Sequence, residues 1–167
     1  MQILFLPGWL TVLLFFVVWA AFQVGAALIA LSLPNSLLHP GAPLFRLRPW
    51  EDEGRVYDRL FAVRRWKGLL PDGGAAWKQK GYQKKKLTDL SQENLERFIV
   101  ESARAELTHM LAILPFWVFG FFAPPNVVWI MLAYALAVNL PCMIAQRYNR
   151  PRVRALLKRL YPNSPLV

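Results

Sequence analysis

Two stretches of this chain, residues 3–33 and 110–145, contain no Asp, Glu, Lys, Arg or His. As helices rising 1.5 Å per residue, each is long enough to cross a hydrocarbon layer of about 30 Å. The chain has 167 residues and is 56% hydrophobic. Blocks of this kind exclude an ordinary soluble globule, whose apolar residues are dispersed at helix or strand periodicity. The fold class is therefore an all-α integral membrane protein. The first block lacks a basic leader and exceeds the ~7–15 residue apolar core of a secretory signal, so residues 1–34 are expected as a retained transmembrane helix.

The charges say where the rest goes. A net charge of +10 taken alone suits a nucleic-acid binder, but all twenty Lys and Arg fall in two blocks, 46–104 and 147–159. The positive-inside rule places both blocks on the cytoplasmic face of a cell membrane. The expected topology has the N-terminus outside, a cytoplasmic segment over 35–90, a helical hairpin over 91–146 and a basic cytoplasmic tail over 147–167. Residues 107–122 are short and interrupted by Pro115. The count is thus three transmembrane helices, or one plus a re-entrant hairpin.

Within the cytoplasmic segment, Pro49 followed by Glu51, Asp52 and Glu53 reads as a helix start, with acids over the positive end of the dipole. Val56, Tyr57, Leu60 and Phe61 then share a face. This predicts an amphipathic helix in the interface, with Trp50 and Trp66 at headgroup depth. Residues 70–74 are a turn by composition. Five lysines between Lys78 and Lys86 suit a solvated loop attracted to anionic lipid. Thr88 or Ser91 can cap the next helix, whose apolar stripe is Leu95, Phe98, Ile99 and Ala103. Asn139 and Pro141 interrupt the apolar return helix, and Pro141 frees a carbonyl there. The single Cys142 permits no intramolecular disulfide.

Candidate chemistry starts at the mouth of the second apolar block. On a helix Glu106 and His109 lie about 60° apart, with Glu101 about 80° to the other side of His109. Ionisable groups at a membrane edge are costly and mark functional sites by default. A carboxylate can orient a histidine as a general base for a hydroxyl; the same pair can serve as a helix-end ion pair or half of a metal site. The chain has only two histidines, with His39 beside Pro40, so no metal centre is expected. Arg64, Arg65, Lys67, Arg147, Arg150 and Arg152 are placed at the cytoplasmic interface, where guanidinium forks suit phosphates and also snorkel. A ligand with a polyanionic head and a long acyl tail fits such a surface; acyl-CoA has that shape. There is no His-x4-Asp box, P-loop, GxSxG elbow or GxGxxG motif.

Three blocks together, VRRWKGLLPDG (63–73), ESARAELTH (101–109) and QRYNRPR (146–152), resemble the glycosyl-4,4'-diaponeurosporenoate acyltransferase family. The resemblance covers roughly residues 55–157; the first helix and the lysine-rich segment match no family signature. It implies a small membrane enzyme that esterifies a fatty acyl group onto the sugar of a glycosylated C30 carotenoid. The matched positions are Arg65, Trp66, Lys67, Asp72, Gly73, Glu101, Arg104, Glu106, His109, Asn139, Gln146, Arg147, Tyr148, Asn149, Arg150 and Arg152, without saying which is catalytic.

The expected reaction is O-acyl transfer from acyl-CoA, a co-substrate, to a sugar hydroxyl of a glycosylated carotenoid or related glycolipid. His109 is the expected base, oriented by Glu106 or Asp72. Arg65, Trp66, Lys67, Glu101, Arg104, Asn139, Arg147, Tyr148, Asn149, Arg150 and Arg152 are the expected substrate contacts. No cofactor, metal or nucleic acid is expected. Membrane lipid and a homo-oligomer are the remaining partners. The alternative is a non-enzymatic lipid- or pigment-binding membrane subunit.

Overall fold

The computed structural model describes residues 2–70 and 89–167. The turn at 70–74 beyond Leu70, Asp72, Gly73, the lysine-rich segment and Thr88 lie outside the described residues. Those described form five α-helices, α1 (Gly8–Ser32), α2 (Arg55–Phe61), α3 (Val63–Trp66), α4 (Gln92–Ile113) and α5 (Pro125–Leu160), joined by 3₁₀ turns, with no strand among them. The all-helical expectation holds. Two of the helices, α1 and α5, are long and apolar enough to cross a membrane.

The chain divides into two compact units. The first comprises Met1–Leu33 and Leu107–Met143. Its core is aromatic: Trp19, Phe119 and Phe122 are buried with Ala135, and Phe15 and Phe22 pack against them. Rings meet edge-on or tilted, as at Phe15 and Phe119 with centroids 5.7 Å apart, the arrangement ring quadrupoles favour. Outward faces are the reverse of a soluble surface, with Phe5 82% and Phe16 73% exposed. Exposed apolar faces of this kind suit a lipid surrounding.

α4 ends at Ile113 and tightens into a 3₁₀ turn over Leu114–Phe121. Pro115 lacks the N–H that an α-helix would use there, so the ladder cannot continue unchanged. The N-terminal strap closes on this turn, with the amides of Ile3 and Leu4 both donating to Phe121 O at 2.9 Å.

The second unit comprises Pro34–Glu106 and Ile144–Val167. Leu95, Phe98 and Ile99 of α4 are buried with Val153 and Leu157 of α5, and Tyr161, Leu166 and Val167 of the tail cover them. This is the stripe that the periodicity predicts. A second cluster joins Tyr57, Val63 and Tyr148.

The single amphipathic helix expected from Pro49 onward is broken twice. Pro49–Gly54 is a 3₁₀ turn in which Asp52 (φ 49°), Glu53 (φ 52°) and Gly54 (φ 81°) are left-handed. Ala62 (φ 49°) separates α2 from α3. Tyr57 and Val63 turn inward whereas Leu60 and Phe61 stay exposed. Asp52, paired with Arg55 at 2.6 Å and with Arg59, holds the first break.

Why the chain accepts that break is visible at Gly54. Pro151 lies within α5 and has no N–H, so the helix cannot bond the carbonyl of Arg147 four residues earlier. Gly54 sits at this notch: a Cβ there would lie 2.9 Å from Arg147 O and 3.0 Å from Pro151 Cγ. Both φ and space demand glycine. Gly54→Ala is expected to destabilise the protein by about 1–3 kcal/mol, read as a lower unfolding temperature in detergent. Gly25→Ala, inside α1 with nothing within 4 Å of the added Cβ, is the control and should not lower it, since alanine favours a helix more than glycine does.

Candidate active site

The second unit encloses a network of two carboxylates and two guanidiniums. Glu51 and Glu106 are 0% and 1% exposed. Arg147 spans them, Nη1 donating to Glu51 Oε1 at 2.8 Å and Nε to Glu106 Oε1 at 2.6 Å. The other oxygen of Glu106 accepts from Arg150 Nη2. Arg150 also donates to Ser102 O and Phe45 O, and Arg147 to Leu44 O. Tyr57 OH and the Arg48 amide donate to Glu51. The four charges sum to zero, which offsets the cost of burying Glu51, Glu106 and Arg150 and of partly burying Arg147.

Electrostatics at Glu51 follow from these partners. Burial alone pushes its carboxyl up, but the bonds from Tyr57, Arg48 and Arg147, with the Arg147 charge, prevail and hold it below its ordinary value. The phenol of Tyr57 is pushed up by burial and by the charged Glu51 it bonds.

In the first unit, His109 Nδ1 lies 2.8 Å from Asn139 Oδ1. Asn139 is fully buried and its Nδ2 donates to Ala135 O at 2.9 Å. A carbonyl oxygen can only accept, so the amide is fixed with Oδ1 toward the imidazole. His109 must then donate from Nδ1. In the neutral ring Nε2 therefore carries the lone pair. An amide aligning an imidazole in one tautomer is a known way to present a base.

A third constellation surrounds Tyr148 in the second unit. The guanidinium of Arg152 stacks 3.6 Å from the ring centroid, and Lys67 Nζ lies 4.8 Å from it. Arg152 Nη1 donates to Tyr148 O, Lys67 Nζ to Asn149 Oδ1 at 2.7 Å, and Arg64 Nε to Tyr148 OH at 3.1 Å.

The expected site residues thus separate. Arg147, Arg150 and Glu106 form the buried network, while Lys67, Tyr148, Asn149 and Arg152 form the aromatic cationic cluster. Arg104 is buried, bonding Glu101 at 3.2 Å and Asn35 at 2.6 Å. Trp66 Nε1 donates to Phe61 O at 2.7 Å, and Arg65 is exposed. Gln146 Oε1 is buried without a hydrogen-bond partner. Among the described residues no group of three or more metal-binding side chains is present.

Sequence reasoning missed Glu51, Tyr57 and Ser102. Glu51 was one of three consecutive acids at an apparent helix start, and nothing local distinguishes a buried acid from its exposed neighbours. The one usable sign was Gly54 directly behind them, where a helix would have needed a side chain.

Residues 41–159 match the model of the glycosyl-4,4'-diaponeurosporenoate acyltransferase family. The chain belongs to this family. Enzymes of that name from Staphylococcus aureus (strain USA300) and Staphylococcus haemolyticus (strain JCSC1435) are 33% and 31% identical to it, over 84% and 81% of this chain and 84% and 78% of their own lengths. No solved structure matches. An acyltransferase is accordingly what the chain is, which removes the non-enzymatic alternative. The family match includes every residue of the buried network and of the Tyr148 cluster, together with the His109 and Asn139 pair, and leaves out α1.

Removing one member of the network strands a buried charge. Glu106→Gln is expected to lower acyltransferase stability by about 3–5 kcal/mol, seen as a fall in unfolding temperature, and Arg150→Met added to it should recover part of the loss. Glu51 has a depressed carboxyl, so its contribution is present above its ordinary value near 4.5 and is lost as pH falls through the lower folded value. Thermal scans below pH 5 should show a smaller further loss of stability in Glu51→Gln than in wild type.

Proposed function

We propose that this chain is a multi-pass membrane O-acyltransferase that moves a fatty acyl group from acyl-CoA to a sugar hydroxyl of a glycosylated carotenoid or related glycolipid. The carrying observation is the His109 and Asn139 pair, a fixed-tautomer imidazole on the apolar end of α4. Burying an amide beside apolar helices is costly unless its bonds are made. Asn139 makes them to Ala135 and to His109. The acceptor follows the names of the family's relatives, and the lipid setting follows the exposed apolar faces of α1 and α5.

In this reading His109 Nε2 takes the proton of the sugar hydroxyl as its oxygen attacks the thioester carbonyl. A carbon–oxygen bond forms, the carbon–sulfur bond breaks, and the imidazolium returns its proton to the departing thiolate. The products are an ester and free coenzyme A. Asn139 is a positioning residue that keeps Nδ1 as the donor. Glu106, with both oxygens held by Arg147 and Arg150, positions α4 against α5 within its unit. Asp72, outside the described residues, is the alternative acid to orient His109. The topology proposed has the N-terminus outside, residues 107–121 entering the bilayer as one arm of a hairpin, the C-terminus cytoplasmic, and copies of the chain associating in the membrane.

His109→Ala is expected to lower kcat by about 10²–10⁴-fold, the usual worth of a general base, while leaving the protein folded in detergent. Asn139→Ala should cut kcat more than it changes KM for either substrate. Near-normal turnover of His109→Ala with acyl-CoA and a glycosylated carotenoid would rule out the assignment.

A further inference from the structure

The sequence offers six basic groups for an anionic ligand, and the structure distributes them unequally. Arg147 and Arg150 are ion-paired with Glu106, and Arg147 also with Glu51. Their charges are already matched, and their donors are committed to carboxylates and backbone carbonyls. They are internal counter-ions. Lys67 and Arg152 are different, because neither forms an ion pair with a carboxylate among the described residues. Both are half-buried.

We infer that Lys67, Arg152 and Asn149 form a site for the diphosphate of the acyl donor's phosphorylated carrier. The occupant rests on the acyl-CoA reading above; the existence of an anion site does not.

Three observations carry it. The first is charge. Lys67, Arg152 and Arg64 bring three cations around one phenol ring, and the facing carboxylate is Asp58, paired with Arg64 at 2.8 Å. Two positive charges are left over, the complement of a diphosphate. Burial, then the charge of Arg152, pushes the Lys67 ammonium below its ordinary value, and Arg64 adds to this while Asp58 opposes it. An anion seated here relieves that repulsion.

The second observation is donor geometry. Lys67 Nζ gives one hydrogen to Asn149 Oδ1, which leaves it two others. With Oδ1 accepting from Lys67, Asn149 Nδ2 is a donor beside it. Arg152 uses Nη1 on Tyr148 O, leaving one edge of its planar fork for a bidentate phosphate contact. Every remaining polar group of the three side chains is a donor, as a phosphate requires.

The third is preorganisation. Arg152 is stacked on Tyr148, bonded to its carbonyl and placed beside Gly54, where an added Cβ would come within 3.3 Å of Nη1. Tyr148 itself is buried and held by Arg64. A fixed guanidinium loses little conformational freedom on binding. An arginine that merely anchors in headgroups needs no such support.

The test is direct binding of free coenzyme A and of inorganic pyrophosphate to the full chain in phosphatidylcholine nanodiscs, by calorimetry. Wild type should bind both, more weakly as salt rises. Lys67→Gln and Arg152→Gln should each weaken both ligands tenfold or more, Arg152→Lys less than Arg152→Gln, and Arg159→Gln not at all. Asn149→Ala, which removes a donor without changing charge, should weaken them by a smaller factor and serves if a charge variant does not fold. Unchanged affinity in folded Lys67→Gln and Arg152→Gln would overturn the site. So would variants that bind coenzyme A normally but lose a wild-type preference for phosphatidylglycerol over phosphatidylcholine on reconstitution, which would mark a lipid-headgroup contact instead. His109→Ala should bind coenzyme A like wild type, so a failure of the base assignment and a failure of this site give different results.

Discussion

Three buried charges, Glu51, Glu106 and Arg150, and the partly buried Arg147 between them organise the second unit. Arg147 joins Glu51 to Glu106, and Glu106 passes the connection to Arg150 and so to Ser102. Each residue comes from a different stretch of sequence: the turn after Pro49, the middle of α4, and two successive turns of α5. Hydrophobic contact between the same segments is non-directional, and by itself would let α5 rotate or slide against α4. Ion pairs with both oxygens of Glu106 used do not allow this. The left-handed residues Asp52, Glu53 and Gly54 follow from that demand, since the backbone must turn sharply just after Glu51 to leave it buried.

Once those arginines are counted as structural, the chemistry of the two blocks at 101–109 and 146–152 separates into parts with different jobs. QRYNRPR (146–152) contributes Arg147 and Arg150 to the buried network and Tyr148, Asn149 and Arg152 to the cationic cluster. Alternation along one helix explains how a seven-residue motif does both, because residues three apart share a face while the next residue points elsewhere. ESARAELTH (101–109) is divided similarly, with Ser102 and Glu106 turned to the network and His109 to Asn139.

Much of the architecture was legible because long uncharged apolar runs are a crude signal. The uncharged runs became α1 and the first part of α5, and the stripe of Leu95, Phe98, Ile99 and Ala103 became a core face. Helical angles placed Glu106 and His109 on neighbouring directions, but angle does not name a partner. His109 bonds the amide of Asn139, thirty residues away, and Glu106 bonds arginines more than forty residues away. Such pairings depend on how helices pack, which one-dimensional periodicity does not contain. The broken segment between Pro49 and Lys67 was illegible for another reason: its residues favour a helix locally, and only tertiary demands on Glu51, Gly54 and Ala62 override that preference.

Gly54 against Pro151 is a contact made of two absences, a side chain that is not there and an N–H that is not there. Side chains usually join helices by filling space; here a turn reaches α5 by leaving space empty. A survey that truncates residues one by one would pass over it, since there is nothing to remove. The position is sensitive to atoms gained rather than atoms lost, and the same holds for any ligand group or modification that adds bulk at this notch.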